Sequence, residues 1–359
     1  MRFARDRAAW KPANPPPTMT TFGGRALSLV MSVTVTAAPD VPNRTRADVK
    51  RSSHPLACSA VHPTGEQIDL VAGPTRAVVT GVGAGLRALA VDGRARVEGF
   101  EADASPPMGA GGVLVPWPNR IAGAAYTWRG RTYELEATEA ARGNAIHGLL
   151  RRRPWDVVDR AEDRVTLAAD VEASWGWPGP LHVETTYVVE PTGLAVAHAL
   201  TNTGTDDVPA GVGTHPYLRA GDADPADCTL ALAADRIVDT DGRRIPTAVR
   251  PVAPGEDLRG GRRVGDLALD TCFAAAPGPD GVLGVLTAPD GRATALWGDA
   301  SIRWVMVFTP DDLAGRGRAV AVEPMTCPAD AANSGTDLRV LAPGETWTVR
   351  WGITARDAP

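Results

Sequence analysis

The chain has 359 residues, 44% hydrophobic and 22% charged, and a formal net charge of −5 from 37 basic and 42 acidic side chains. That balance is ordinary for a globular protein: it argues against a disordered or bilayer-spanning body and, with no basic excess to draw in phosphate backbones, against nucleic acid as a partner. The four cysteines, Cys58, Cys228, Cys272 and Cys327, are far apart and form no C-x-x-C pair, which signals neither a zinc site nor a disulfide framework and points to a reduced, cytoplasmic compartment.

Residues 1–60 differ in texture from the rest. Segments such as KPANPPPT and PDVPNRTRADVKRSSHP are rich in Pro, Arg and Ser without sustained periodicity, and read as a disordered or poorly ordered leader ahead of one domain over 61–359. Within the leader, ALSLVMSVTVTAA follows Arg25 and ends in small residues as a secretory h-region does, so export through residues 19–38 stands as the alternative to a cytoplasmic protein. Ser and Thr interrupt that run, and it falls short of the roughly 20 apolar residues that span a bilayer.

From about Gly65 onward, short runs of Val, Leu, Thr and Ala are broken every ~8 to 12 residues by Gly, Pro, Asp or Asn, which predicts an all-β domain. LAVAHAL alternates strictly, with Leu194, Val196, His198 and Leu200 on one face and alanines on the other. LHVETTYVVE, SIRWVMVFT and ETWTVRWGI read the same way, and EPTG, TNTGTDD and TDGRR supply tight connections between strands. No repeat of roughly 20 to 50 residues supports a solenoid or propeller, so a large antiparallel β-sandwich with few short helices is the best fit.

Histidine is scarce, six in the chain, and each can be weighed. His54 and His62 fall in or just after the leader and read as solvated. His198, on the apolar face of its strand, reads as a hydrogen-bonded interior group. His182, two positions before Glu184, is either half of a surface pair or part of a cleft. His215 stands in GVGTHPYL, where Pro216 restricts the backbone ahead of it. Gly211 and Gly213 permit close backbone approach, to a ligand or simply before a turn. His147, in GNAIHGLLRRRPW, lies outside any alternation and is expected on a loop or strand end, where binding groups concentrate. In VPWPNRIAGAAYTWRGRTYEL, Pro116 and Pro118 stiffen the approach to Asn119 and Arg120; alone, the arginine reads as a surface partner for a carboxylate. In VAVEPMTCPADAANSG, Glu323 is expected at a strand end beside small Ala321, with Pro324 terminating the ladder. It is either a desolvated carboxyl suited to acid–base work or a solvated acid before a turn. Asp270 in LDTCF carries almost no signal by itself.

Taken together and in order, PWPNRIAGAAYTWRG, GNAIHGLLRRRPW, GVGTHPYL, LDTCF and VEPMTCPADAANSG resemble the aldose 1-epimerase, or galactose mutarotase, family from about residue 65 to the C-terminus. The PWPNR and HPYL forms look closer to a bacterial subgroup than to the galactose enzymes of sugar-fermenting organisms. The resemblance implies a galactose mutarotase-like supersandwich with an open cleft, acting as a monomer or homodimer on a small-molecule sugar, with no metal or other cofactor. It implies Glu323 as general base and His215 as general acid, with His147, Arg120, Asp270 and Asn119 holding the sugar. Trp155, Trp175 and Trp177 are candidates to stack on a pyranose ring. The Arg151–Pro154 run is either a solvated turn or a receiver for a phosphate or sulfonate substituent. Three functions follow: a mutarotase of free aldohexoses, a mutarotase of an anionic sugar, or a non-catalytic carbohydrate-binding sandwich. The presence of both His215 and Glu323 argues against the last.

Overall fold

The computed structural model describes residues 62–356. The expected leader, its apolar stretch and His54 lie outside the described residues. Antiparallel strands dominate, and Ala331–Ser334 is the single α-helix among the described residues, accompanied by short 3-10 turns. No helix of the described residues is long and apolar enough to cross a membrane.

Alternation in the sequence becomes burial in the sheet. Leu181–Glu190 and Gly193–Asn202 pair in full register, from Leu181 opposite Asn202 to Glu190 opposite Gly193. Leu181, Val183, Thr185, Tyr187 and Val189 face inward at every second position. This hairpin supplies the third and fourth strands of a nine-stranded sheet that continues through Thr346–Ala355, Ala293–Gly298 and Val282–Thr287. A four-stranded sheet over residues 67–95 adds Ile68, Leu70, Val79 and Leu89 to the same apolar cluster, and the Tyr187 hydroxyl donates to the Ala84 carbonyl at 2.6 Å. As expected, His198 is interior: its Nδ1 meets Thr185 Oγ1 at 2.9 Å, its Nε2 accepts from Trp351 Nε1 at 2.9 Å, and burial holds its pKa down at about 3.

A seven-stranded sheet positions everything that follows. Its order is Pro246–Pro251, Ala234–Thr240, Asp270–Ala275, Trp304–Phe308, Ala321–Met325, Gly213–Thr214, Val113–Leu114. One face sends Phe273, Val305, Val307 and Val322 into the main core. On the other, register places Cys272 opposite Met306 and Met306 opposite Glu323, and one step along, Asp270 opposite Phe308 and Phe308 opposite Ala321. Because side chains alternate with period two, Asp270, Met306, Phe308 and Glu323 must project from one face. Two small apolar clusters flank that face, one around Trp304 and Met325 and one around Phe100 and Tyr217, so its polar groups stand between dry walls.

Two expectations are corrected here. Pro324 does not end the ladder: pairing runs on to Met325 opposite Trp304, with the Val322 and Thr326 N–H groups on either side donating to Pro216 and Val212 carbonyls. The glycines before His215 serve chain-on-chain packing. A Cβ at Gly211 would lie 2.6 Å from Cys327 Sγ, and one at Gly213 would lie 2.8 Å from Pro118 Cβ and 3.1 Å from Met325 Cγ. Only residues without a side chain let the His215 segment slide between the PWPN segment and the Glu323 strand.

Candidate active site

Asn119, Arg120, His147, His215, Asp270 and Glu323 line one cleft of about 340 Å³, completed by Met108, Glu139, Arg142, Ile146, Met306 and Phe308. Glu323 and His215 come from neighbouring segments of the seven-stranded sheet, so their approach is set by strand pairing. His215 Nε2 lies 3.4 Å from Glu323 Oε1, and the two side chains are 4% and 2% exposed. Below the imidazole the Tyr217 ring packs at 5.1 Å between centroids, and His147 meets it edge-on at 5.5 Å. Pro216 and these two rings hold the imidazole in place.

The PWPNR and GNAIHG motifs, separate in sequence, zip into a short ladder. Arg120 pairs with Ile146 and Ile121 with Ala145, and the His147 N–H donates to the Asn119 carbonyl at 2.8 Å. Asn119 and His147 both adopt left-handed backbone, φ 56° and 64°. Asparagine tolerates that region; histidine there stores about 1–3 kcal/mol, which the ladder must hold.

Arg120 is 8% exposed and is clamped from behind. Its Nε and Nη2 donate to the two Glu139 oxygens at 2.9 and 3.1 Å, and its Nη1 faces Asp270 Oδ1 at 3.6 Å and Asn119 Oδ1 at 3.4 Å. Burial alone would lower the Arg120 pKa, but the Glu139 hydrogen bonds and the charges of Asp270 and Glu323 outweigh it and hold the guanidinium above its ordinary value. Glu139, also bound by Asn144 Nδ2 at 3.0 Å and Arg142 Nη1 at 2.9 Å, stays ionised below the ordinary carboxyl range although burial opposes this. Sequence reasoning missed Glu139; its signal was the spacing E-x4-N ahead of His147, which places both partners on one turn. Asp270 is held from its far side by Arg244 Nε at 3.3 Å.

Protonation at the centre of the cleft follows from burial. Desolvation, with Asp270 nearby, pushes Glu323 well above the ordinary 4.5, and Arg120 only partly offsets this. Desolvation likewise pulls His215 down to about 4, helped by the Arg151 charge. His147 is lowered well below 6.5 by burial and by His215, Arg151 and Arg120, although one edge of the residue stays open to the cleft. His147 Nδ1, His215 Nδ1 and Glu323 Oε2 are buried without a hydrogen-bond partner. Buried polar atoms are rarely orphaned, and three in one cleft mark a place where a polar ligand completes the hydrogen bonding. Ligand atoms of His147, His215 and Glu323 lie within 4.8 Å of one another, a set with the donor chemistry to hold a transition metal.

The tryptophans that were candidates to stack on a sugar or to pack in the core do not line this cleft. Trp177 is fully buried, stacked on Trp117 at 5.2 Å, with its N–H donating to the Pro209 carbonyl. Trp155 is 5% exposed and donates to Leu150, and Trp175 is covered by Arg153 at 4.3 Å. His182 is the surface pair, 2.7 Å from Asp170.

The family model described as Aldose 1-epimerase matches residues 66–354. The chain belongs to the aldose 1-epimerase family. Membership makes it an isomerase acting on a sugar. It is 34% identical over 288 residues to the uncharacterized protein YihR of Escherichia coli K12, covering 79% of this chain and 92% of that one. Among solved structures it is similar to the GalM/aldose epimerase homologue from C. elegans (TM-score 0.72, 20% identity, 82% of this chain and 99% of that one). It is also similar to galactose 1-epimerase from Lactobacillus acidophilus NCFM (TM-score 0.69, 16% identity, 82% and 95%). These structural likenesses establish the galactose mutarotase-like fold.

Proposed function

We propose that this aldose 1-epimerase family member interconverts the α and β anomers of an aldohexose, with Glu323 and His215 as its proton-transfer pair. The observation that carries the reading is the pair itself: a carboxyl and an imidazole 3.4 Å apart, both buried, at the centre of a sugar-sized cleft, each with an oxygen or nitrogen left for a ligand.

Mutarotation takes one proton off O1 and puts one on O5 as the C1–O5 bond breaks, so it needs an acid and a base that hold one proton between them. The opposite pKa directions of Glu323 and His215 describe such a pair. Burial favours the uncharged form of each group, and so favours the shared proton on the carboxyl. The form with ionised Glu323 and protonated His215 has the same proton count, and it is the one that reacts: Glu323 accepts the O1 proton while His215 protonates O5. The open-chain aldehyde turns about C1–C2 and recloses from the other face, returning both protons. Arg120, held by Glu139, together with Asp270, Asn119 and His147, offers donors and acceptors to the ring hydroxyls. Positioned acid–base groups contribute about 10² to 10⁴ each in rate.

The test follows the relaxation of optical rotation of fresh α-glucose and α-galactose with wild type beside Glu323→Gln and His215→Asn. Wild type should accelerate relaxation and each variant should lose most of the acceleration. A protein that binds sugar and leaves the spontaneous rate unchanged would be a binding module, and the proposal would fall.

A further inference from the structure

A second hollow of about 490 Å³ adjoins the catalytic cleft; Met108, Ile146 and His147 line both. Its remaining lining includes Ser105, Arg151 and Arg152. Among the described residues, the guanidinium groups of Arg151 and Arg152 have no hydrogen bond and no ion pair, whereas Arg153, the third of the run, is spent on the Trp175 ring. Arg151 is half-buried. A cation set into a hollow without a counter-charge is costly, and the usual resolution is a carboxylate neighbour; here the hollow offers none.

We infer that this hollow is an anion subsite, and that the preferred substrate is an aldohexose carrying an anionic group, a phosphate or a sulfonate, on the exocyclic carbon next to the ring oxygen. The inference rests on the mutarotase reading and extends it. In that reading O5 faces His215. The exocyclic C6 hangs from C5, which is bonded to O5, so a C6 substituent emerges on the His215 side. His147 is the neighbour of His215 there and forms the sill of the hollow. An anion leaving the ring past His147 meets Arg151, Arg152 and the Ser105 hydroxyl. Guanidinium groups match the geometry of phosphate and sulfonate oxygens.

Electrostatics adds support. The Arg151 charge adds to burial in lowering both cleft histidines, and burial, with crowding by Arg152, brings Arg151 itself down to about 10. A bound anion cancels that charge and makes His215 easier to protonate, so the substituent aids the step that His215 performs.

The experiment measures α/β exchange by NMR for glucose, glucose 6-phosphate and 6-deoxy-6-sulfoglucose, with wild type, Arg151→Gln and Arg151→Lys. The expected result is a kcat/KM at least about tenfold higher for one of the anionic sugars than for glucose. Arg151→Gln should lower it by about 10- to 100-fold and Arg151→Lys by less, whereas the glucose value should fall in neither variant. Whichever anion reacts faster identifies the substituent. Glucose turned over as fast as both anionic sugars, or an anionic preference untouched by Arg151→Gln, overturns the subsite and leaves the mutarotase reading standing. No exchange with any sugar overturns the mutarotase reading itself.

Discussion

Glu323→Gln separates a catalytic carboxyl from a structural one because it should move activity and stability in opposite directions. Gln is close to isosteric with the protonated carboxyl, and among the described residues Glu323 Oε2 has no partner to lose and His215 at 3.4 Å is the one ion-pair neighbour. The folded protein holds the Glu323 proton more tightly than the unfolded chain, whose value is near 4.5. Stability from this group is therefore complete below that value and falls by about 1.4 kcal/mol for each pH unit up to the raised folded pKa. Gln has no such slope. The buried histidines, lowered in the fold, add a slope of the opposite sign below about pH 6.5, but it is common to both proteins and largely cancels in their difference. Urea denaturation should thus show the variant within about 1 kcal/mol of wild type at pH 5, and gaining on it steadily as the pH rises toward 8. Over the same range kcat/KM should drop by about 10² to 10⁴. A buried structural ion pair would behave otherwise: loss of one partner costs about 3–5 kcal/mol at every pH. That outcome, or activity within threefold of wild type, refutes the one-proton pair.

Four further outcomes follow. The kcat/KM profile should be flat-topped, its acid limb well below the ordinary imidazole value of 6.5 because His215 titrates near 4, and its alkaline limb above the ordinary carboxyl range; an acid limb at 6.5 counts against the geometry. Glu139→Gln leaves Arg120 one oxygen behind it and only the longer Asp270 contact as counter-charge, so stability should fall by about 1.5–3 kcal/mol and KM should rise more than kcat falls, as thermal melts and initial rates would show. Gly213→Ala forces a methyl against Pro118 and Met325, and should cost about 1–3 kcal/mol while displacing His215; an unchanged Tm would show that the segment has room. Zn²⁺ in the micromolar range should inhibit by occupying His147, His215 and Glu323, with EDTA restoring the rate, and His147→Asn should blunt the inhibition.

Alternation in LAVAHAL and ETWTVRWGI was enough to specify strands and their buried faces, because a period of two leaves each residue only two sides on which to point. The same local rule put Glu323 opposite Val322 across its strand, and composition argued against nucleic acid as a partner. Five motifs in order named the family and the six cleft residues, since Pro, Gly and His in fixed spacing leave a trace in the chain itself. Glu139 left only its spacing to Asn144: nothing local ties a carboxylate to an arginine nineteen positions away, and the Arg120–Ile146 ladder brings the two together. Trp177 shows the converse, since an aromatic ring reads alike in a core and in a sugar site, and its neighbours decide. The roles of Gly211 and Gly213 needed Pro118 and Cys327 in view, because close packing is a property of pairs. The fate of the arginine run likewise depended on which of its members the fold left without a counter-charge. Protonation of Glu323 and His215 was decided last of all, by how completely distant strands remove water from around them.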